Sequence, residues 1–306
     1  MSFFPGKDPE AGDAFASDQI ELMVIPNAKD IGGFEVRRAL PTARRRLVGP
    51  FIFFDRMGPA ILRAGQALDV RPHPHIGLST VTYLFDGKIR HRDSLGTEMV
   101  IQPGDVNLMT AGRGIVHSER TGAEKRAAGG PIHGLQMWVA LPSAKEEMDA
   151  AFAHHDTAEF PVIKENGKQV RVVVGSLYGA SSPVPTVHET MFADVHLKAG
   201  SAIPLDAGHE ERAIYVIDGM IDIAGDKFEA GKLLVFRPGD QVSVSAASDA
   251  HFVILGGAPM DGPRHIWWNF VSSRKERIEQ AKAEWKAGHF QKVPGDEIEF
   301  IPLPES

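Results

Sequence analysis

Short runs of apolar and β-branched residues recur along the chain at close spacing, and glycine or proline separates most of them. IELMVI at 20–25, FIFF at 51–54, STVTYLF at 79–85, LQMWVAL at 135–141, QVRVVVG at 169–175, AIYVI at 213–217 and HFVIL at 251–255 are of this kind. Runs this short, bounded by turn formers, read as strands buried on at least one face. With 31 glycines and 21 prolines as punctuation, the pattern predicts an all-β sandwich or barrel rather than alternating strands and helices.

A helical period is expected in two places. Ser273 stands three residues before Glu276 as a capping box, RKERIEQAKAEWKA follows, and Gly288 fits a C-terminal cap. Ile278, Ala281 and Trp285 recur at three and four residues and are expected to face the body of the protein. SAKEEMDAAFAHH at 143–155 predicts a shorter helix, with Ser143 and Glu146 again at capping-box spacing. The first 17 or so residues are expected to be loosely tethered.

The apolar pattern repeats. YLFDGKI at 83–89 matches YVIDGMI at 215–221, each a β run entering a turn at Asp-Gly. Downstream, QPGDV at 102–106 matches RPGDQ at 237–241, and each is followed at nearly equal distance by a histidine, His117 and His251. One β-barrel unit thus looks duplicated, with the join between about 143 and 185. The expected division is 1–150 as an N-terminal domain carrying a metal site and 151–306 as a C-terminal domain without one.

Composition narrows the class. The chain has 306 residues, 43% hydrophobic and 24% charged, the balance of a globular protein with a sizeable core. A net charge of -7 argues against a nucleic-acid surface, and the triplet Arg44, Arg45, Arg46 reads as a solvated loop. No apolar stretch reaches the length of a membrane span, and MSFFPGKDPEAGDAF lacks the order of a secretory signal, so a cytoplasmic location is expected. A monomer is also expected. With no cysteine, any metal must be held by nitrogen and oxygen.

Two stretches carry candidate chemistry, RPHPH at 71–75 and HSE at 117–119. In an extended chain, side chains at i and i+2 share a face, so His73 and His75 can aim two imidazoles at one point, and His117 with Glu119 repeats the device. Pro72 and Pro74 donate no backbone hydrogen bond, which places RPHPH at a strand's rim or start. Three imidazoles and a carboxylate suit one divalent transition ion, with Fe, Mn, Ni, Cu and Zn all open. The repeat supplies a control: eight and ten residues before Tyr83 stand His75 and His73, whereas the same counts before Tyr215 give Ala207 and Leu205. The second copy keeps the frame and drops the histidines, although its His209, Glu210 and Glu211 form a polar cluster of another spacing. His91, His133 and His251 each stand alone on or beside a run and read as structural or supporting residues. Phe51, Phe53, Met109, Gln136 and Trp138 are candidates for an apolar lining.

HPHIGLSTVTYLFDG, HRDSLG, PGDVNLMTAGRGIVHSE, PIHGLQMWVALP and the SSPV at 182–185 resemble the pirin family of bicupins across both halves of the chain. The resemblance implies two tandem cupin jelly-roll barrels with a C-terminal helix. It implies His73, His75, His117 and Glu119 as metal ligands, with Glu119 supplying the carboxylate that ordinary cupins take from the first motif, where Ser79 and Thr80 stand here. Iron, as Fe(II), is the metal it implies. Many members have HPHRGFE where this chain has HPHIGLS, so Ile76 and Ser79 replace a basic and an acidic residue near the metal. Two activities follow from the resemblance. One is a quercetin 2,3-dioxygenase-type oxidation of a small aromatic or enol substrate by O2, with Glu119 accepting the substrate's proton. The other is a non-catalytic, redox-responsive iron protein read by a partner protein. A different metal-dependent cupin reaction, such as isomerisation or hydrolysis, stays open on ligand set alone.

Overall fold

The computed structural model describes residues 18–31, 34–205 and 207–305. The first 17 residues, expected to be loosely tethered, lie outside them. The described residues divide into two compact units, one from the residues up to Ala28, Arg37–Phe53 and Ala158–Pro259, the other from Lys29–Val36, Phe54–Thr157 and the residues from Met260 on. Each is a double-sheet, antiparallel β-barrel of the jelly-roll kind.

In the later barrel one sheet runs Ile20–Val24, Leu233–Phe236, Glu211–Asp218, Ala250–Gly257, Thr190–Leu197, Lys168–Val174 and Val162–Glu165 from edge to edge. The second holds Ala202–Leu205, Val242–Ala246, Met220–Ile223 and Asp226–Glu229. Alternate residues of both sheets, among them Val172, Ile214, Val216, Phe252, Ile221 and Val244, form one apolar cluster with almost no exposure. Ile20, Leu22 and Val24 alternate with half-buried neighbours, the pattern that lets the first described strand cover the edge at Leu233–Phe236.

The earlier barrel pairs a sheet containing Ala151–His155, Val106–Thr110, Leu78–Asp86 and Gly130–Ala140, in that order, with a four-stranded sheet ordered Asp69–His75, Ile115–Arg120, Ile89–Asp93 and Glu98–Ile101. Leu84 and Ile132 from the first meet Ile89 and Ile101 from the second in a buried cluster. The repeated Asp-Gly turns are present in both barrels: Gly87 and Gly219 have φ of 88° and 74°. A Cβ would stand 2.5 Å from the Pro131 carbonyl oxygen at the first and 2.1 Å from the Asp249 carbonyl oxygen at the second. Only glycine suits these positions, which is why the frame YxxDG recurs.

The C-terminal helix is Lys275–Lys286, and its buried positions include Ile278 and Ala281 as the spacing predicts. Its end is a Schellman motif, with the Gly288 N–H donating to the Trp285 carbonyl and the His289 N–H to the Glu284 carbonyl. Its start differs from expectation. The cap position is Arg274, which makes no side-chain capping bond, and the Ser273 hydroxyl donates to Glu146 Oε1 at 2.8 Å. The helix expected at 143–155 does not form. Residues 143–147 turn, and Ala151–His155 is a strand paired with Val106–Thr110. The open edge of Val106–Thr110 offers a hydrogen-bond ladder that local helical propensity does not outweigh. Of the arginine triplet, Arg44 and Arg46 are exposed as expected, whereas Arg45 is half-buried, bonds the Leu47 carbonyl and pairs with Glu21 and Glu211.

Candidate metal centre

Asp69–His75 is an edge strand, paired only with Ile115–Arg120. Prolines 72 and 74 are tolerated there because one side of the strand needs no donors. They sit in the strand's second half rather than at its start, and they hold His73 and His75 on one face. His117 is the direct ladder partner of His73. A bulge between His117 and Glu119 shifts the register so that Glu119 lies opposite Val70 on one side and His91 on the other. Bulges at barrel rims re-aim side chains in this way.

The three imidazoles converge. Their ring centroids are 4.4–5.0 Å apart, one nitrogen from each falls within 4.8 Å of the others, and His75 Nε2 lies 3.1 Å from His117 Nε2. All three are buried. Their outward nitrogens are engaged: His73 Nδ1 donates to the Arg71 carbonyl at 2.8 Å and His75 Nδ1 to the Asn269 carbonyl at 3.2 Å. His117 Nδ1 is 3.5 Å from His91 Nδ1, while His91 Nε2 donates to Asp93 Oδ2 at 3.0 Å. That donation makes His91 Nδ1 an acceptor, so His117 carries its proton on Nδ1 and turns the Nε2 lone pair inward. Asp93 is itself fully buried, and its Oδ1 accepts from the backbone N–H groups of Leu95 and Thr97.

Burial pushes all three histidines below their ordinary range, His73 to about 4, with mutual repulsion adding to the effect at His75 and His117. Three neutral imidazoles with inward lone pairs and two Nε2 atoms at hydrogen-bond distance, neither having a proton to share, form a donor set that a cation reconciles. The residues therefore fit a divalent transition metal. Glu119 lies in the same interior, 8% exposed, near the Thr82 hydroxyl at 3.5 Å and hydrogen-bonded to Gln136. It stands outside the tight set of three histidines. Burial raises its pKa, against the opposing pull of His91 and the bonds from Thr82 and Gln136.

Of the expected lining, Trp138 packs edge-on against His75 at 5.2 Å and Gln136 meets Thr82 and Glu119. Met109 belongs to an apolar cluster with Ala111 and Ile115. Phe51 and Phe53 are elsewhere, the first against Phe192 and the second beneath the Arg38 guanidinium. Ile76 packs with Phe270 and Ile278, and Ser79 bonds Thr110, so an apolar contact and a hydroxyl pair occupy the HPHIGLS positions. Sequence reasoning passed over Asp93 and Thr82. The HRD spacing at 91–93 places His91 and Asp93 on one strand face and was the available signal. In the later barrel His209 bonds Glu189 and the Ser176 carbonyl, and Glu211 bonds the Gly49 N–H and Arg45. That cluster is structural.

Residues 33–139 match the family model described as Pirin, and residues 192–291 match the one described as Pirin C-terminal cupin domain. A pirin-like protein of Caulobacter vibrioides is 48% identical over 289 residues, covering 94% of this chain and all of that protein. The chain belongs to the pirin family. The pirin of Homo sapiens is 31% identical across 89% of this chain and 93% of its own length. Among solved structures, a quercetin 2,3-dioxygenase from Acinetobacter baumannii superposes with a TM-score of 0.87 at 31% identity, covering 94% of this chain and 96% of that one. The pirin fold thus accounts for both barrels, and no helix among the described residues is long and apolar enough to cross a membrane.

Proposed function

We propose that this pirin-family protein is a quercetin 2,3-dioxygenase-type enzyme that opens the ring of a flavonol with O2, at one divalent metal held by His73, His75, His117 and Glu119. Fe(II) is the first choice among the ions that suit three nitrogens and an oxygen. The observation that carries the reading is the convergence of three buried imidazoles whose Nδ1 atoms are tied off outside the site. The quercetin 2,3-dioxygenase of Acinetobacter baumannii, alike in fold along nearly the whole chain, supplies the reaction class.

A bound metal supplies Lewis acidity toward a chelating hydroxyl and carbonyl, together with the redox chemistry that the protein side chains lack. Glu119 then has two uses. Its carboxylate completes the ligand set, and burial raises its basicity in the direction that favours taking the proton of a substrate hydroxyl. Thr82 and Gln136 orient it for either use. Trp138, edge-on to His75, offers an apolar wall for a flat substrate.

O2 uptake by the iron-loaded chain with a panel of flavonols tests the reading. Flavonol-dependent uptake, abolished by His117→Ala together with metal retention and by Glu119→Gln, is the expected result. Full iron occupancy with no uptake for any flavonol rejects the dioxygenase and leaves the redox-responsive binding protein or another metal-dependent cupin reaction.

A further inference from the structure

The later barrel lacks the histidines of the first site, yet it assembles a different donor group from residues distant in sequence. Asp194 and His196 sit two apart on Thr190–Leu197, and His251 is the ladder partner of His196 on Ala250–Gly257. Ala193, Val195, Leu197, Ala250 and Phe252 belong to the apolar core, so alternation turns the three polar side chains to the opposite face of the sheet. One donor atom from each lies within 4.8 Å of the others. His251 Nε2 is 2.6 Å and His196 Nε2 is 3.7 Å from the same oxygen, Asp194 Oδ1. The two imidazoles are stacked with centroids 4.0 Å apart and planes 16° from parallel.

We propose that Asp194, His196 and His251 bind one borderline divalent cation of the zinc, nickel or copper(II) type. Two imidazoles and a carboxylate are the donors such ions select. Donors held at about 2.0–2.2 Å from one tetrahedral ion stand roughly 3.3–3.6 Å apart, so binding requires the His251–Asp194 contact, at 2.6 Å, to open and the half-exposed His196 ring to swing out of its stack on His251. Asp194 is buried and His196 is half-exposed, which leaves the remaining coordination positions to water from an open cleft of about 530 Å³ that His196, His251 and Asp218 help to line. Partial burial, with His251 as neighbour, lowers the pKa of His196, the direction that favours its neutral, metal-binding form.

The duplication again serves as a control. His251 lies opposite Asp218 and His133 opposite Asp86, so the counterpart of His251 in the earlier barrel is His133 and not His117, which the spacing after the repeated Pro-Gly-Asp suggests. There the Arg56 guanidinium donates to His133 Nε2 at 3.2 Å. Beside His251 the groups are instead Asp194 and His196. In the later copy the opposing charge is Arg171, ladder partner of Asp194.

The test uses the full chain in equilibrium dialysis against Zn²⁺, then Ni²⁺, with bound metal counted for wild type, His251→Ala, Asp194→Asn and His117→Ala. Circular dichroism accompanies each variant. These side chains lie off the apolar core, and the isosteric Asp194→Asn retains shape should His251→Ala prove unstable. The expected result is loss of one bound equivalent in both His251→Ala and Asp194→Asn, with a separate equivalent lost in His117→Ala. Wild-type binding by either folded variant of the later barrel overturns the proposal. Failure of the first site alone is distinguishable, because His117→Ala would then bind as wild type while His251→Ala still loses its equivalent. Arg171→Ala should tighten the later site, and an affinity unchanged by that substitution also counts against an ion at Asp194.

Discussion

Which nitrogen His117 presents to the interior is decided outside the ligand set, by His91 and Asp93. Asp93 is tied down by two backbone N–H groups, His91 donates to it, and His117 is thereby left to donate from Nδ1. Removing such an orienting partner costs a metal site about 10–100-fold in affinity. Asp93→Asn or His91→Ala should therefore weaken metal binding by that order in a chelator competition, although neither residue touches the ion. A variant that retains wild-type affinity would reduce the relay to packing. Proton linkage gives a second outcome at this scale. His73 is held at about 4 in the folded chain against 6.5 unfolded, so between these values the unfolded state binds more protons. The metal-depleted protein is then fully stabilised above about 6.5 and loses stability as pH falls, with the His73 share exhausted near 4. His75 and His117, also lowered by burial, add to the same loss as pH falls. Denaturant unfolding of chelator-treated protein across this range should show the decline, and His73→Gln should flatten it.

Between elements, the start of the C-terminal helix is organised by a residue from far upstream. Glu146 is buried and accepts from the Ser272 hydroxyl and from the Ser273 backbone and side chain. Two capping boxes expected within their own segments are replaced by one contact between them. A buried hydrogen-bonded carboxylate whose partners are left unsatisfied costs about 1–3 kcal/mol, so Glu146→Ala should lower unfolding stability by that amount, and Glu146→Gln by less. Unchanged stability in urea unfolding of Glu146→Ala would return the cap to local residues. The same pair marks what was legible in the sequence. Strands and their Asp-Gly turns follow from alternation and from positions that exclude a Cβ, and these are local. The helix at 143–155 failed because its residues satisfy a helical pattern while the ladder partner that claims Ala151–His155 lies 41 to 49 residues upstream. The convergence of His73, His75 and His117 was legible because His73 and His75 are two residues apart and the second copy lacks that pair. Asp194, His196 and His251 were not, since only the ladder register brings His251 to His196.

For the molecule as a whole, the duplication separates what the fold requires from what chemistry requires. Both barrels keep the turn glycines, the buried apolar alternation and a histidine opposite the turn aspartate. Only the earlier one turns three imidazoles inward, and the later one carries its polar trio on the face away from its core. An ion held by His73, His75 and His117 would tie the edge strand Asp69–His75 to its neighbour Ile115–Arg120. A ligand that binds only the folded state stabilises it by about 2.7 kcal/mol at one hundred times its dissociation constant. In a His251→Ala chain, which leaves the later trio incomplete, that gain should appear as slowed amide exchange in Asp69–His75, Ile115–Arg120 and Ile89–Asp93 when metal is added. The strands Glu211–Asp218 and Ala250–Gly257 should exchange as before if the barrels open independently. Exchange that slows equally in both sets would mean that the two barrels open as one cooperative unit. Exchange that slows in neither would place the bound ion away from His73, His75 and His117.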